Sequence, residues 1–389
     1  MRVPLLDLKP QYHSIKKELD EAIIKVAESQ YFILGPEVSG MEKDFCNYLG
    51  CKHALGVSSG TDALLLALMA IDIKPGDEVI VPTYSFFATA GVVSRLNATP
   101  VLVENDSVTF NMDPKDFENK ITSKTRAVIP VHLYGQSSNM DEIVRIAKAN
   151  KIIVIEDAAQ AIGTQYKDGR FVGTIGDIGC FSFFPSKNLG CYGDGGLVTT
   201  NNDDLAKILT IKRVHGGEPK YYHKVIGGNF RIDAIQAAVL RVKLPHLDKW
   251  SEKRRHNANR YTQLFMESGL AEKTGKANFD GKNKVLLPEA VYEKSGVKNY
   301  HIYNQYIVRV DKRDELRDFL TKNEIGSEIY YPVPFHLQEC FKDLGHKKGD
   351  FPISEFSADK SLALPIYPEL SDEQLVYVVE TFKKFFNQL

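Results

Sequence analysis

The strongest constraint on the fold is an alternation, starting at residue 53, between short β-branched runs and helix-like stretches. The apolar run HALGV (53–57) is followed by SSGTD and then by the apolar-periodic ALLLALMAI (63–71). DEVIVP (77–82), residues 99–104, RAVIPVHL (126–133) and IIVI (152–155) read as strands, with predicted helices over 86–96 and 141–149. β-branched runs that alternate with helices predict a parallel sheet covered on both faces. Ligands of such sheets bind beyond the carboxyl ends of the strands. The polar clusters SSGTD (58–62), PTYSF (82–86), HLYGQ (132–136) and EDAAQ (156–160) fall there.

Elsewhere the pattern changes. Residues 16–50 read as helices broken at Gly35-Pro36, and 233–265 as one or two Arg/Lys-rich helices interrupted at Pro245. A polar, Gly/Lys-rich connection over 274–299 leads to the strand-like HIYNQYIVRV (301–310), a helix from Arg313, a strand-like stretch over 327–331 and a last helix over 372–386. At roughly 100–200 residues per domain, the reading is α/β with a large domain over 1–245 and a small C-terminal α/β domain over 246–389.

Several functions are disfavoured. Forty-nine Lys and Arg against 50 Asp and Glu leave no basic surplus, whereas a nucleic-acid binder needs one to neutralise phosphates. The longest apolar run, 63–71, is far shorter than the roughly 18 residues that cross a bilayer. The first twenty residues carry charges throughout, with no apolar core of an export signal, so a cytoplasmic protein without a membrane partner is expected. Cys46, Cys51, Cys180, Cys191 and Cys340 are scattered and fit reduced thiols better than a disulfide framework. Neither CxxC nor HExxH occurs, so no metal site is expected.

Three segments carry chemistry. Gly56-Val57-Ser58-Ser59-Gly60 satisfies GxSxG between a strand and a helix, the pattern of an α/β-hydrolase elbow with Ser58 as nucleophile. The same residues also suit an anion: hydroxyls, free N–H groups and a helix dipole converge there, and Gly60 lets a ligand approach the backbone. Ser59 or Thr61 could equally serve only as a cap. Glu156 and Asp157 follow IIVI, and both acids are expected to point into the cleft. Lys187 ends the apolar-aromatic stretch FSFFPSK (181–187), ahead of a Gly-rich turn. A lysine in apolar surroundings loses hydration and proton affinity, which makes it nucleophilic; the alternative is a lysine whose stem packs while its charge stays wet. Together, a phosphate cup, an aromatic at Phe86, a strand-end Asp157 and Lys187 form a set suited to pyridoxal phosphate, in which the acid keeps the ring nitrogen protonated.

With these residues in order, the chain resembles the DegT/DnrJ/EryC1/StrS family, fold-type I aminotransferases that act on nucleotide-linked keto sugars. The likeness runs over nearly the whole length, through GPEV (35–38), SSGTDAL (58–64), VPTYSFFATA (81–90), PVHLYGQ (130–136), EDAAQAIG (156–163), FSFFPSKNLGCYGDGG (181–196), GGNFRIDAIQAA (227–238), YYPVPFH (330–336) and LALPIYPEL (362–370).

The resemblance implies a large domain with a mostly parallel seven-stranded sheet plus the small domain. It implies that Lys187 carries pyridoxal 5'-phosphate as an imine, that Asp157 pairs with the ring nitrogen, that Gln160 lies near the ring hydroxyl and that Phe86 stacks on the ring. Gly60, Thr61 and Ser182 would hold the phosphate, and Asn229 would reach it across a homodimer interface. Arg231, Tyr331 and His336 would contact the donor carboxylate or the nucleotide.

Glutamate is the implied amino donor, leaving as 2-oxoglutarate, with pyridoxamine phosphate between the two half-reactions. Amino-sugar biosynthesis, including that of lipopolysaccharide O-antigen, is the implied setting. KNLG followed by YGDGG looks more like branches that aminate C3 than those that aminate C4. NQY (304–306) is similar to branches handling UDP-linked 2-acetamido-3-keto sugars, which favours UDP over dTDP. Many relatives have a His where this chain reads Tyr303-Asn304-Gln305, which leaves nucleotide contacts inferred from them open. Dehydratases of this fold replace the lysine with His, so Lys187 argues against that activity. A 4-keto substrate, a serine hydrolase at Ser58 and a non-catalytic regulatory protein of the same fold are the alternatives.

Overall fold

A computed structural model describes residues 1–280 and 284–388, so residues 281–283 of the predicted 274–299 connection lie outside the described residues. Seven strands form the main sheet: β1 (His53–Val57), β2 (Glu78–Pro82), β3 (Thr99–Val103), β4 (Thr125–Val128), β5 (Ile153–Asp157), β6 (Ile178–Ser182) and β7 (Gly196–Thr200). A second sheet holds β8 (Val285–Leu286), β9 (Tyr306–Val310) and β10 (Ser361–Leu364). The helices of the first half are α1 (Lys9–Ser14), α2 (Lys16–Ser29), α3 (Gly35–Leu49), α4 (Gly60–Ala70), α5 (Ala88–Arg95), α6 (Pro114–Asn119), α7 (Met140–Asn150) and α8 (Asp203–Arg213). Those of the second are α9 (Ala234–Lys243), α10 (Leu247–Glu267), α11 (Arg313–Lys322), α12 (Pro352–Lys360) and α13 (Asp372–Asn387).

The main sheet runs β1-β7-β6-β5-β4-β2-β3. Neighbours from β3 through β6 are parallel, and β7 is antiparallel to both β6 and β1. Side chains of a strand alternate between faces. Val79 and Val81 accordingly pack with α4 and α5, while Ile80 between them packs with α7 on the other face. Coverage by helices on both sides explains why these strands read as continuous apolar runs. On the α2, α3 and α9 side, Phe181, Phe183 and Leu197 join Phe45 and Val239 in a further cluster.

The second sheet runs β10-β9-β8 and packs with α10, α11 and α13 around Tyr261, Val308, Leu316 and Phe382. Val3 belongs to this cluster and bridges Ile325, so the N-terminal segment joins a layer otherwise built from residues beyond 257. The expected interruption at Pro245 is a short 3-10 turn, Leu244–His246, between α9 and α10. The expected strand over 327–331 does not form: Glu328 makes a single bridge with Ala363. Among the described residues, no helix is long and apolar enough to cross a membrane.

Candidate active site

Asp157 ends β5, buried at the carboxyl edge of the sheet. One carboxylate oxygen accepts a hydrogen bond from the Thr89 hydroxyl at 2.8 Å and the other from the Ala159 N–H at 3.2 Å. Burial pushes its carboxyl up, against the pull of those two donors and of the Lys187 and His132 charges. A cation placed against it would oppose that shift. Glu156 behaves differently from the sequence expectation and does not face the cleft. Its carboxylate sits in a buried cage, accepting from the N–H groups of Gly173, Ile175 and Gly176 at 2.8, 2.7 and 2.6 Å and from His132 Nε2 at 2.9 Å. Successive strand residues point to opposite faces, so only one of the two acids can face a ligand.

At the end of β1, Ser59 caps α4, its Oγ accepting from the Asp62 N–H at 3.0 Å. The N–H groups of Gly60 and Thr61 have no partner inside the helix. Gly60 lies against Ser182 at the end of β6; a Cβ there would come 2.7 Å from the Ser182 Cβ. The cradle between the two strand ends therefore needs a glycine. Ser58 donates to Asp62 Oδ2 at 2.6 Å, and among the described residues no imidazole bonds to it. The base required by the hydrolase reading is thus missing.

Lys187 follows the aromatic stretch at the mouth of the sheet. Burial pulls its ammonium down to about 8, with Asp157 opposing. Among the described residues, no hydrogen bond or ion pair ties its Nζ.

Gln160 and Tyr331 form the next layer. Gln160 accepts from the Tyr134 N–H at 2.7 Å and donates to the Tyr331 hydroxyl at 3.0 Å. Tyr331 is fixed through its own N–H, which donates to the Tyr84 hydroxyl at 2.9 Å. Phe86 is 55% exposed, its ring centroid 6.0 Å from that of Tyr331. An exposed Phe beside a buried polar cluster leaves a ring face open for a planar ligand.

The remaining predicted residues divide. Asn229 and Arg231 line a cavity of about 520 Å³ with Ser58, Ser59 and Asp62, on the flank of the α4 N-terminus in the same chain. Arg231 Nε is buried without a hydrogen-bond partner among the described residues. His336 is placed in the interior, with Thr83 Oγ1 3.2 Å from Nδ1 and Glu355 Oε1 2.9 Å from Nε2. With both ring nitrogens engaged, it has no polar atom free for a substrate. Thr89, Tyr84 and Tyr134 were missed by sequence reasoning. The signal for Thr89 was a polar residue inside the apolar run ATAGVV, four residues after Ser85, to which its hydroxyl bonds at 3.1 Å.

The chemistry of these residues would suit one kind of molecule, with a planar cationic ring for Asp157, a phosphate for Gly60 and Ser182, and an electrophilic carbon for an untethered amine. Pyridoxal phosphate has those three parts, and the residues present fit it. That is the class of fold-type I pyridoxal-phosphate enzymes.

The model of the DegT/DnrJ/EryC1/StrS aminotransferase family matches residues 13–383. A Geobacillus stearothermophilus protein called a pleiotropic regulatory protein is 47% identical over 386 residues, covering 99% of each chain. The dTDP-3-amino-3,4,6-trideoxy-alpha-D-glucose transaminase of Streptomyces venezuelae is 41% identical over 384 residues, covering 99% of this chain and 96% of its own. The crystal structure of S. venezuelae DesV superposes with a TM-score of 0.91 at 39% identity, covering 100% of this chain and 99% of that one. The chain belongs to the DegT/DnrJ/EryC1/StrS aminotransferase family, and its cofactor is pyridoxal phosphate.

Proposed function

We propose that the protein moves an amino group from glutamate to C3 of a nucleotide-linked keto sugar, working as a homodimer with shared sites. The observation that carries this reading is Lys187: an amine lowered to about 8, free of partners among the described residues, with Asp157 as its charged neighbour. When bound, the cofactor supplies an electron sink that lets a carbon next to nitrogen lose its proton.

The chain's own residues divide the remaining work. Gly60, Thr61 and Ser182 hold the phosphate through N–H and hydroxyl groups at a helix N-terminus. Asp157, braced by Thr89, sets its charge against the ring nitrogen. Gln160, tied to Tyr331, would lie by the ring hydroxyl, and the exposed Phe86 would cover the ring face. The Lys187 amine takes the proton from the donor's α-carbon and, in the second half, delivers one to the sugar carbon being aminated. Asn229 serves the partner's phosphate, and Arg231 and Tyr331 receive the donor carboxylate or the nucleotide.

Amination at C3 is supported by KNLG followed by YGDGG and by the name of the Streptomyces relative, a transaminase of a dTDP-linked 3-amino sugar. The nucleotide is dTDP or UDP; Asn304-Gln305-Tyr306 favours UDP and that relative's name favours dTDP. The Geobacillus relative is called a pleiotropic regulatory protein, but with nucleotide-sugar transaminases among the other relatives its name does not favour the alternative of a non-catalytic regulator. A half-reaction on glutamate excludes it. The test of substrate is a panel of UDP- and dTDP-linked 3-keto and 4-keto sugars with NMR of the product. Amination of a 3-keto sugar is expected, and amination of 4-keto sugars alone would overturn the C3 assignment.

A further inference from the structure

The turn that carries Lys187 is gripped from outside the site by one helix. Lys243, at the C-terminal end of α9, is 5% exposed and donates from Nζ to the Gly190 carbonyl at 2.7 Å, three residues beyond Lys187. Gln236 lies about two turns earlier on the same helix and holds the Tyr192 backbone twice. Its Oε1 accepts from the Tyr192 N–H at 2.7 Å, and its Nε2 donates to the Tyr192 carbonyl at 3.2 Å. The Lys243 ammonium also stands 4.6 Å from the centroid of the Tyr192 ring.

A buried cation is costly unless it is paired. Among the described residues Lys243 makes no ion pair, and the titratable groups that face it are the Cys191 thiol and the Tyr192 phenol. An apolar side chain would fill the same space at lower cost, so the hydrogen bond to the turn is what sets the lysine apart. The turn itself has no slack. A Cβ at Gly190 would lie 2.4 Å from the Pro185 carbonyl oxygen. Between Lys187 and Gly190, the Asn188 side chain accepts from Asn304 Nδ2 at 2.8 Å and donates to the Ile302 carbonyl at 2.9 Å. The chain directly after Lys187 is thus tied at Asn188 and again at Gly190, while among the described residues the Lys187 amine has no hydrogen-bond or ion-pair partner.

We propose that Lys243 and Gln236 are positioning residues for Lys187: α9 clamps Gly190 and Tyr192 so that the Lys187 amine keeps its partly buried place beside Asp157. The inference rests on the proposed function in one respect, that Lys187 is the lysine that takes up the cofactor. Loosening the clamp would hydrate the amine and let its proton affinity climb from about 8 toward the usual lysine value of about 10.4. Asp157 faces Lys187 equally in every variant.

The test strips the full-length chain of cofactor, adds pyridoxal phosphate and follows its capture by visible absorbance across pH, with melting temperature measured in parallel. Wild type should show capture rising through a midpoint near about 8. Lys243→Met and Gln236→Leu should each move that midpoint up by about one unit, while Lys243→Arg, which keeps a donor, should hold it within a few tenths. Gln236→Leu removes no charge, so a matching shift there excludes a simple charge effect of Lys243. Midpoints equal to wild type in both Lys243→Met and Gln236→Leu, even with lowered melting temperatures, would overturn the clamp and leave Lys243 as a packing residue. Wild type that captures no pyridoxal phosphate would instead overturn the proposed function on which the clamp depends.

Discussion

Asp157 holds a negative charge in a buried place with only two protein donors, and Lys187 holds an amine with none among the described residues. Each is costly alone, and each becomes favourable once a cationic ring and an electrophilic carbon lie between them. Asp157→Asn should therefore retain cofactor but slow the half-reaction with glutamate by on the order of 10²–10³, the usual loss of one preorganised charge, as single-turnover absorbance would read. Thr89→Val keeps the shape and removes the donor to Asp157, so a stability loss of about 1.5–3 kcal/mol is expected in urea unfolding. The lowered Lys187 amine fixes the sign of the pH effect. Its neutral, proton-accepting form grows as pH rises through about 8, so the glutamate half-reaction should accelerate over that range; a rate flat across it would speak against Lys187 as the base. Ser58→Ala should change activity by no more than about twofold, as for residues outside such features, because Ser58 is bonded to Asp62 and not to an imidazole.

At the scale of elements, the parallel strands were legible because burial on both faces writes itself as β-branched runs: VIV in β2, AV in β4, IVI in β5. The strands β6 and β7 were not read, because IGCFS and GLVTT are short and border a glycine-rich turn, and β7 also pairs with β1, a partner far away in sequence. The stretch 327–331 looked like a strand from composition, yet its polar groups serve side chains instead: the Tyr84 hydroxyl donates to the Tyr330 carbonyl and accepts from the Tyr331 N–H. Lys187 and Asp157 could be picked out from one sequence because each closes an apolar segment. His336 looked the same in a motif, and only its contacts with Thr83 and Glu355 reveal a structural tie. Glu156 closes the neighbouring strand position but belongs to the fold's framework. Glu156→Gln leaves several donors without a charged acceptor, so a loss of about 3–5 kcal/mol is expected in chemical unfolding, with Lys187 capture of cofactor retained wherever the variant folds.

At the scale of the whole molecule, some large apolar side chains stand exposed: Tyr31 at 66%, Tyr221 at 79% and Ile226 at 85%, with Ile226 lying three residues before Asn229 in the chain. Exposed apolar groups are candidates for an interaction surface, and in the proposed two-fold assembly one chain's Asn229 segment would reach the other's cofactor. Ile226→Asp should therefore weaken self-association and lower activity together, as light scattering and a coupled assay would show; an active monomer would contradict the shared site. The near balance of 49 basic and 50 acidic residues fits this picture, because a helix N-terminus and a few hydroxyls hold a phosphate without a surplus of charge. The most direct measurement of the central claim is the visible spectrum of the purified protein loaded with pyridoxal phosphate, taken before and after glutamate and repeated on Lys187→Ala. A visible band in wild type that bleaches with glutamate and is missing from Lys187→Ala is the result predicted. A wild-type protein that takes up no pyridoxal phosphate, or a band that persists in Lys187→Ala, would contradict the account.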